Sequence, residues 1–107
     1  FDINAKVIVE AANAATTPEA ETMLTARGIP VIPDFVANAG AAAWAWWLLL
    51  GQVDDNPENS FTKLRTEMHN KVAMLLHHWI TDHTPPRHTG WALAHTDRSA
   101  TPPLIIP

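Results

Sequence analysis

The chain has 107 residues, no cysteine, seven Lys+Arg against eleven Asp+Glu, and a formal net charge of −4. That length is one domain or a piece of one. The absent cysteines exclude a disulfide framework, a thiolate nucleophile and any Cys-based metal site. The acidic balance gives no basic footprint, so nucleic acid is not an expected partner. With 47% hydrophobic and 17% charged residues, the composition is that of a folding chain.

The first residue is Phe1, not Met, and Phe1-Asp2-Ile3-Asn4 is no charged secretory leader. Either the start was processed or a segment precedes it. The β-branched run Val7-Ile8-Val9 predicts a strand buried on both faces. Small residues Ala11 to Ala15 follow as a loop. Thr17 before Pro18, with Glu19 and Glu21 behind, is a helix start: hydroxyl cap, proline in the first turn, acids at the positive end. The helix should run over 19–26 and close at Arg27-Gly28. Ile29 to Pro33 reads as a second strand, placed near a sheet edge by its two prolines. Strand, helix, strand in this spacing is a parallel crossover unit, an α/β signature.

Asp34 is placed to cap one helix running from Phe35 to Leu50. The uncharged apolar stretch Ala39 to Leu50 is too short for a membrane span of about twenty residues. It reads as a buried helix covered on most sides, with small residues at its start for close approach and Trp44, Trp46 and Trp47 as packing residues. Gly51 and Asp54-Asp55-Asn56-Pro57 end it. A second long helix is predicted over about 57–82, with Phe61, Leu64, Met68, Val72, Leu75, Leu76, Trp79 and Ile80 as an apolar stripe. Thr84-Pro85-Pro86 breaks it. His88 to Arg98 reads as a last short helix, and Thr101 to Pro107 as an extended, loose tail. Two strands with one crossover leave faces and an edge to be covered, so the first fifty residues read as the end of a larger parallel sheet.

Chemistry-bearing patterns are few. The glycines Gly28, Gly40, Gly51 and Gly90 form no phosphate-binding loop, and Ser60 and Ser99 lie in loop or terminal contexts rather than a nucleophile elbow. His69, His77, His78 and His83 cluster on or after one helix, but adjacent His77 and His78 point about 100° apart and cannot share an ion. Solvated helix-end histidines are the favoured reading, with His78 and Asp82 as an i,i+4 pair, and no metal is expected. Asn13 and Asn38 differ: each sits at the C-terminal end of a strand or the start of the next helix. Ligands bind at that edge in open α/β sheets, and a carboxamide there both donates and accepts. A turn or cap role is the alternative.

Ala5-Lys6-Val7-Ile8-Val9-Glu10-Ala11-Ala12-Asn13, followed by Thr16-Thr17-Pro18-Glu19-Ala20, resembles a stretch of the glutamate/leucine/phenylalanine/valine dehydrogenases, A-K-x-x-x-E-G-A-N-x-x-T-T-P-E-A. Residues 28–40, from Gly28-Ile29-Pro30 to Asn38-Ala39-Gly40, resemble the same family's G-I-x-V-x-P-D-x-x-A-N-A-G-G. The close match covers about residues 5–41; the long helix and the Arg87 to His95 segment are similar to the family's C-terminal helices without a sharp motif.

The resemblance implies the C-terminal portion of a Rossmann-like α/β domain followed by long helices. Residues 1–50 would be the end of the NAD(P)-binding domain and 51–107 a C-terminal helical segment and tail. It implies NAD- or NADP-dependent oxidative deamination of an L-amino acid to a 2-oxo acid. Asn13 and Asn38 would then contact the nicotinamide half of the cofactor, with Asn38 beside the substrate. Ala45 stands where glutamate-specific members carry a substrate-binding serine, so the resemblance leaves the amino acid open. Ala11 and Ala41 stand where the family has glycine, adding methyls near the cofactor edge. The catalytic lysine and aspartate and the glycine-rich loop find no match here, so no catalytic residue is assigned and the chain is expected to be inactive alone. A cytoplasmic homo-oligomer without membrane or nucleic-acid contacts is expected. The alternative is a free-standing interaction module descended from the same domain.

Overall fold

The computed structural model describes residues 2–100, with side chains through Thr96. The tail expected over 101–107 lies outside the described residues. Strand β1 (Ile8–Val9) leads through helix α1 (Pro18–Ala26) to β2 (Val31–Ile32), and four helices follow: α2 (Asp34–Ala37), α3 (Gly40–Leu49), α4 (Pro57–Asp82) and α5 (Pro86–Ala100). The strands pair in parallel, Ile8 opposite Val31 and Val9 opposite Ile32, as the crossover reading requires. Helix α1 starts as its sequence dictates: Pro18 opens it, and the Thr17 hydroxyl accepts from the Ala20 N–H at 3.2 Å. It ends before Gly28, whose φ of +75° suits the only residue type without a Cβ.

The core has two parts that meet at β2. On one side Leu24, Ile29 and Val31 pack with Ile3 and Ile8. On the other Ile32, Val36 and Leu75 pack with Phe35, Val72, Leu76 and Leu93. Successive strand side chains point to opposite faces, so adjacent Val31 and Ile32 each anchor a different cluster. The burial expected of the first strand is found in the second. β2 is an edge strand of the described two-stranded sheet, as its prolines suggest, yet it is the strand buried on both faces, whereas Val7 and Val9, in the run expected to be buried, are exposed. α1 and α5 pack on β2, whereas β1 joins the core through Ile8.

The single helix expected over 35–50 is two helices. Pro33 holds the N-cap position of α2, and the segment turns at Asn38 (φ −107°, ψ 6°) before α3 begins at Gly40. Asp34 is the first residue of α2, not its cap. Among the described residues the apolar stretch packs on α4 and lacks the cover on most sides that was expected. No residue of α3 is buried; Trp44, Trp46 and Leu49, with Leu50 just after the helix, are exposed, which corrects the core role assigned to those two tryptophans. The small residues do permit close approach, since a Cβ at Gly40 would meet Leu64 at 3.4 Å. Trp44 donates through Nε1 to the hydroxyl of Ser60 at 2.9 Å. Ser60 is thus a buried residue in the first turn of α4, not a loop serine.

Helix α4 matches its predicted span, with Asn56 as N-cap accepting from the Glu58 N–H at 3.0 Å. Its apolar stripe is buried in the middle, at Leu75, and exposed towards both ends, at Phe61 and Ile80. Pro86 starts α5 two residues ahead of the expected His88, because a proline in the first turn costs no helical hydrogen bond. Gly90 faces Phe35 so closely that a Cβ there would fall 2.9 Å from the ring. No helix among the described residues is long and apolar enough to cross a membrane.

Candidate functional site

The site is built where β1 and β2 end. Parallel strands deliver their following loops to one edge, so the 11–16 loop after β1 and the Asp34–Asn38 segment after β2 lie side by side. There the two asparagines meet. Asn38 donates through Nδ2 to Asn13 Oδ1 at 2.6 Å and to the Ala11 carbonyl at 3.3 Å. Both side chains are exposed. Among the described residues, Asn13 Nδ2 and Asn38 Oδ1 have no further hydrogen-bond partner. The linked pair therefore leaves one donor and one acceptor open, the two functions that a carboxamide, with one carbonyl and one NH2, would complement.

The loop is held from below by carboxylates. Glu10, the residue after β1, is almost fully buried; its Oε1 accepts from the Thr16 N–H and its Oε2 from the Asp34 N–H, both at 2.9 Å. Asp34 Oδ2 accepts from the Ala14 N–H at 2.7 Å, and Oδ1 from the Phe35 N–H at 2.7 Å. Ala14 has φ +49°, a left-handed conformation that costs an L-residue about 1–2 kcal/mol. The bend of the loop thus falls at Ala14, and Ala11, in the family's glycine position, keeps an ordinary backbone.

Arg87, from the first turn of α5, joins these acids. It donates through Nη2 to Glu10 Oε2 at 2.8 Å and through Nε to Glu21 Oε2 at 2.7 Å; Nη1 stands 3.6 Å from Asp34 Oδ1. Its guanidinium carbon also lies 6.0 Å from the centre of the Phe35 ring. Burial pushes the Glu10 carboxyl up, but the hydrogen bonds from Thr16, Arg87 and Asp34 outweigh it and hold it below the usual range. Asp34 is held low by the Ala14 and Phe35 amides, with help from Arg87. Burial disfavours the Arg87 charge, and Glu21 and Glu10 more than restore it.

The structure therefore brings Asn13 and Asn38 together, as their shared strand-end positions anticipate. Ala45 lies on α3, exposed. A cavity of about 390 Å3 between α3 and α4, lined by Gly40, Ala41, Trp44, Ser60, Phe61 and Leu64, contains none of the three. Sequence reasoning missed Glu10 and Arg87, and read Asp34 only as a helix cap. The signal available for Glu10 was an acid directly after a strand and before a small-residue loop. The histidines stay apart from this edge: His78 Nδ1 lies 3.1 Å from Asp82 Oδ2 on α4, as the i,i+4 spacing indicates. No group of three or more His, Asp or Glu able to hold a metal occurs among the described residues.

The family model described as glutamate/leucine/phenylalanine/valine dehydrogenase matches residues 1–97. The NADP-specific glutamate dehydrogenase A1 of Halobacterium salinarum is 48% identical over 46 residues, which is 43% of this chain and 11% of that protein. The NAD-specific glutamate dehydrogenase of Staphylococcus aureus (strain COL) is 50% identical over 46 residues, 43% of the chain and 11% of its own length. The glutamate dehydrogenase of Thermotoga maritima is 51% identical over 45 residues, 42% and 11% respectively. The matched part is thus about a tenth of each relative's length. No solved structure matches.

Proposed function

The chain belongs to the glutamate/leucine/phenylalanine/valine dehydrogenase family, and on that premise we propose that it is the C-terminal part of the NAD(P)-binding domain of an amino-acid dehydrogenase. Residues 1–50 would form the end of that domain, and 51–107 its helical extension. The whole enzyme would convert an L-amino acid to a 2-oxo acid and ammonia in the cytoplasm. The observation that carries this reading is the hydrogen-bonded Asn13–Asn38 pair at the strand-end edge, with one donor and one acceptor left open.

The residues present fit one end of the cofactor. Asn13 Nδ2 would donate to the carbonyl of the nicotinamide carboxamide, and Asn38 Oδ1 would accept from its NH2. NAD or NADP, when bound, supplies the hydride acceptor. Glu10 and Asp34 keep the loop in register so that neither asparagine must reorganise on binding, which lowers the entropic cost of recognition. Ala45 offers a methyl where a hydroxyl would favour a substrate carboxylate, so the side-chain specificity is set elsewhere or is apolar. Both NAD- and NADP-specific names occur among the relatives, and the cofactor choice stays open between them.

The test is the coding frame upstream of Phe1. The proposal expects an in-frame glycine-rich loop and a lysine-bearing domain. In that full-length protein, Asn38→Ala should raise KM for the nicotinamide cofactor about ten-fold, the worth of one hydrogen bond or slightly more. A start codon close to Phe1, or an Asn38→Ala enzyme with unchanged KM, overturns it. The second reading, a non-catalytic interaction module, is favoured by one observation: Trp46, Leu49 and Leu50 stand exposed on α3, an apolar surface suited to cover by another protein surface or a second copy. A short independent reading frame with a stable oligomer and no cofactor affinity would support it.

A further inference from the structure

We propose that Arg87 is a positioning residue for the nicotinamide-binding loop: from α5, at the far end of the chain, it holds the two carboxylates that set the conformation of residues 11–16. This rests on the Asn13–Asn38 reading given above. The geometry is a relay of five contacts. Arg87 donates to Glu10 Oε2 and stands beside Asp34 Oδ1. Glu10 accepts the Thr16 N–H and Asp34 accepts the Ala14 N–H, so the two acids grip the loop on either side of its left-handed bend. Asn13 precedes that bend and receives Asn38 Nδ2.

Three carboxylates on three elements converge here: Glu10 after β1, Glu21 on α1 and Asp34 on α2. Without a cation they would repel one another, and buried Glu10 would be the first to protonate. A protonated Glu10 turns one acceptor oxygen into a donor facing backbone N–H groups, and the loop loses a tether. Among the described residues, Arg87 is the cation that reaches all three: its planar fork donates to Glu10 and Glu21 at once, and Nη1 stands 3.6 Å from Asp34. His88, next to Arg87, borders the same cleft as Glu21.

The experiment needs no cofactor. Amide exchange and pH-dependent NMR shifts of Ala14 N–H, Thr16 N–H and the Asn38 side-chain NH2 are followed in the wild-type chain, Arg87→Met and Arg87→Lys. Methionine keeps an apolar stem against Phe35 and removes the charge. The expected result is exchange at Ala14 and Thr16 about ten-fold faster in Arg87→Met, an upward move of the loop's acid midpoint, and partial restoration of both in Arg87→Lys. If Arg87 only docks α5, exchange changes on α5, the loop's midpoint stays fixed and lysine restores nothing; that result overturns the proposal. Should Arg87→Met not fold, the wild-type and Arg87→Lys titrations decide. Ala14, Thr16 and Asn38 signals sharing one midpoint that rises in Arg87→Lys support it; separate midpoints, or a shared one unmoved by lysine, overturn it. Loss of cofactor response in the full-length protein with the loop still Arg87-dependent would count against the cofactor reading alone.

Discussion

Replacing Glu10 by glutamine tests the interior of the site with the smallest change of shape. The side chain is buried, and its two oxygens accept from Thr16 N–H, Asp34 N–H and Arg87 Nη2 at 2.8–2.9 Å. Glutamine keeps a single carbonyl oxygen. Whichever way its amide turns, Nε2 faces a donor: the Thr16 amide, or the Asp34 amide and the guanidinium. At least one charge-assisted bond is lost, worth about 1.5–3 kcal/mol, and a buried donor is left unpaired for about 1–3 kcal/mol more. Breaking one side of a buried ion pair costs about 3–5 kcal/mol, but Arg87 is a quarter exposed and can take up water. The expected loss is therefore about 3 kcal/mol. Followed by tryptophan fluorescence in urea, with m of about 1.5 kcal/mol/M, the midpoint should fall by about 2 M. A fall below about 0.5 M at unchanged m would refute the reasoning. The pH dependence has a fixed sign. The folded Glu10 carboxyl lies below its ordinary 4.5, so its contribution is complete above that value and is lost as pH falls through the folded one. The gap between wild type and Glu10→Gln should close over that acid range and nowhere above it.

Gly90→Ala should destabilise although alanine is the better helix former. The propensity gain is about 1 kcal/mol, but the new methyl would meet Phe35 at 2.9 Å, and that ring is already packed against Trp91 at 5.1 Å between centroids. Overpacking of this kind costs about 1–3 kcal/mol, so Tm should drop by about 5 °C; a raised Tm would show that the ring moves freely. At the end of α4, hydrogen bonds from Thr84 and His78 hold the Asp82 carboxyl at about 2, below its ordinary 3.8. A carboxyl titration by NMR should give that midpoint and Thr84→Val should raise it towards 3.8. Any stabilisation from this cap is present above the ordinary value and disappears as pH drops towards 2.

Local rules carried the parts of the fold that depend on neighbours in sequence. Thr17-Pro18 names a helix start and its hydroxyl makes the capping bond; Asn56, read only as part of the loop ending the previous helix, caps α4 in the same way. Asn13 and Asn38 were legible as a pair because both follow strands of one parallel sheet. What failed was whatever depends on distant cover. Val7-Ile8-Val9 and Val31-Ile32 carry the same β-branched signal, yet only the second lies between α1 and α5. The break between α2 and α3 carries no proline; it follows from Asn38 reaching across to Ala11 and Asn13. Glu10 and Arg87 stand 77 positions apart, with no periodicity to link them.

That separation has a chain-statistical consequence. Glu10 meets Asp34 across 24 positions and Arg87 across 77. Loop-closure entropy grows as the logarithm of the span, so the second contact costs about 1 kcal/mol more to form from an open chain. It also requires β1, α1, α2 and α5 to be in place together. The segment that carries the family motif is therefore not self-sufficient: residues 11–16 acquire their set shape only when α5 has docked. On the proposed reading, competence for a ligand would belong to the chain from Glu10 to Arg87 rather than to the short stretch that announces it.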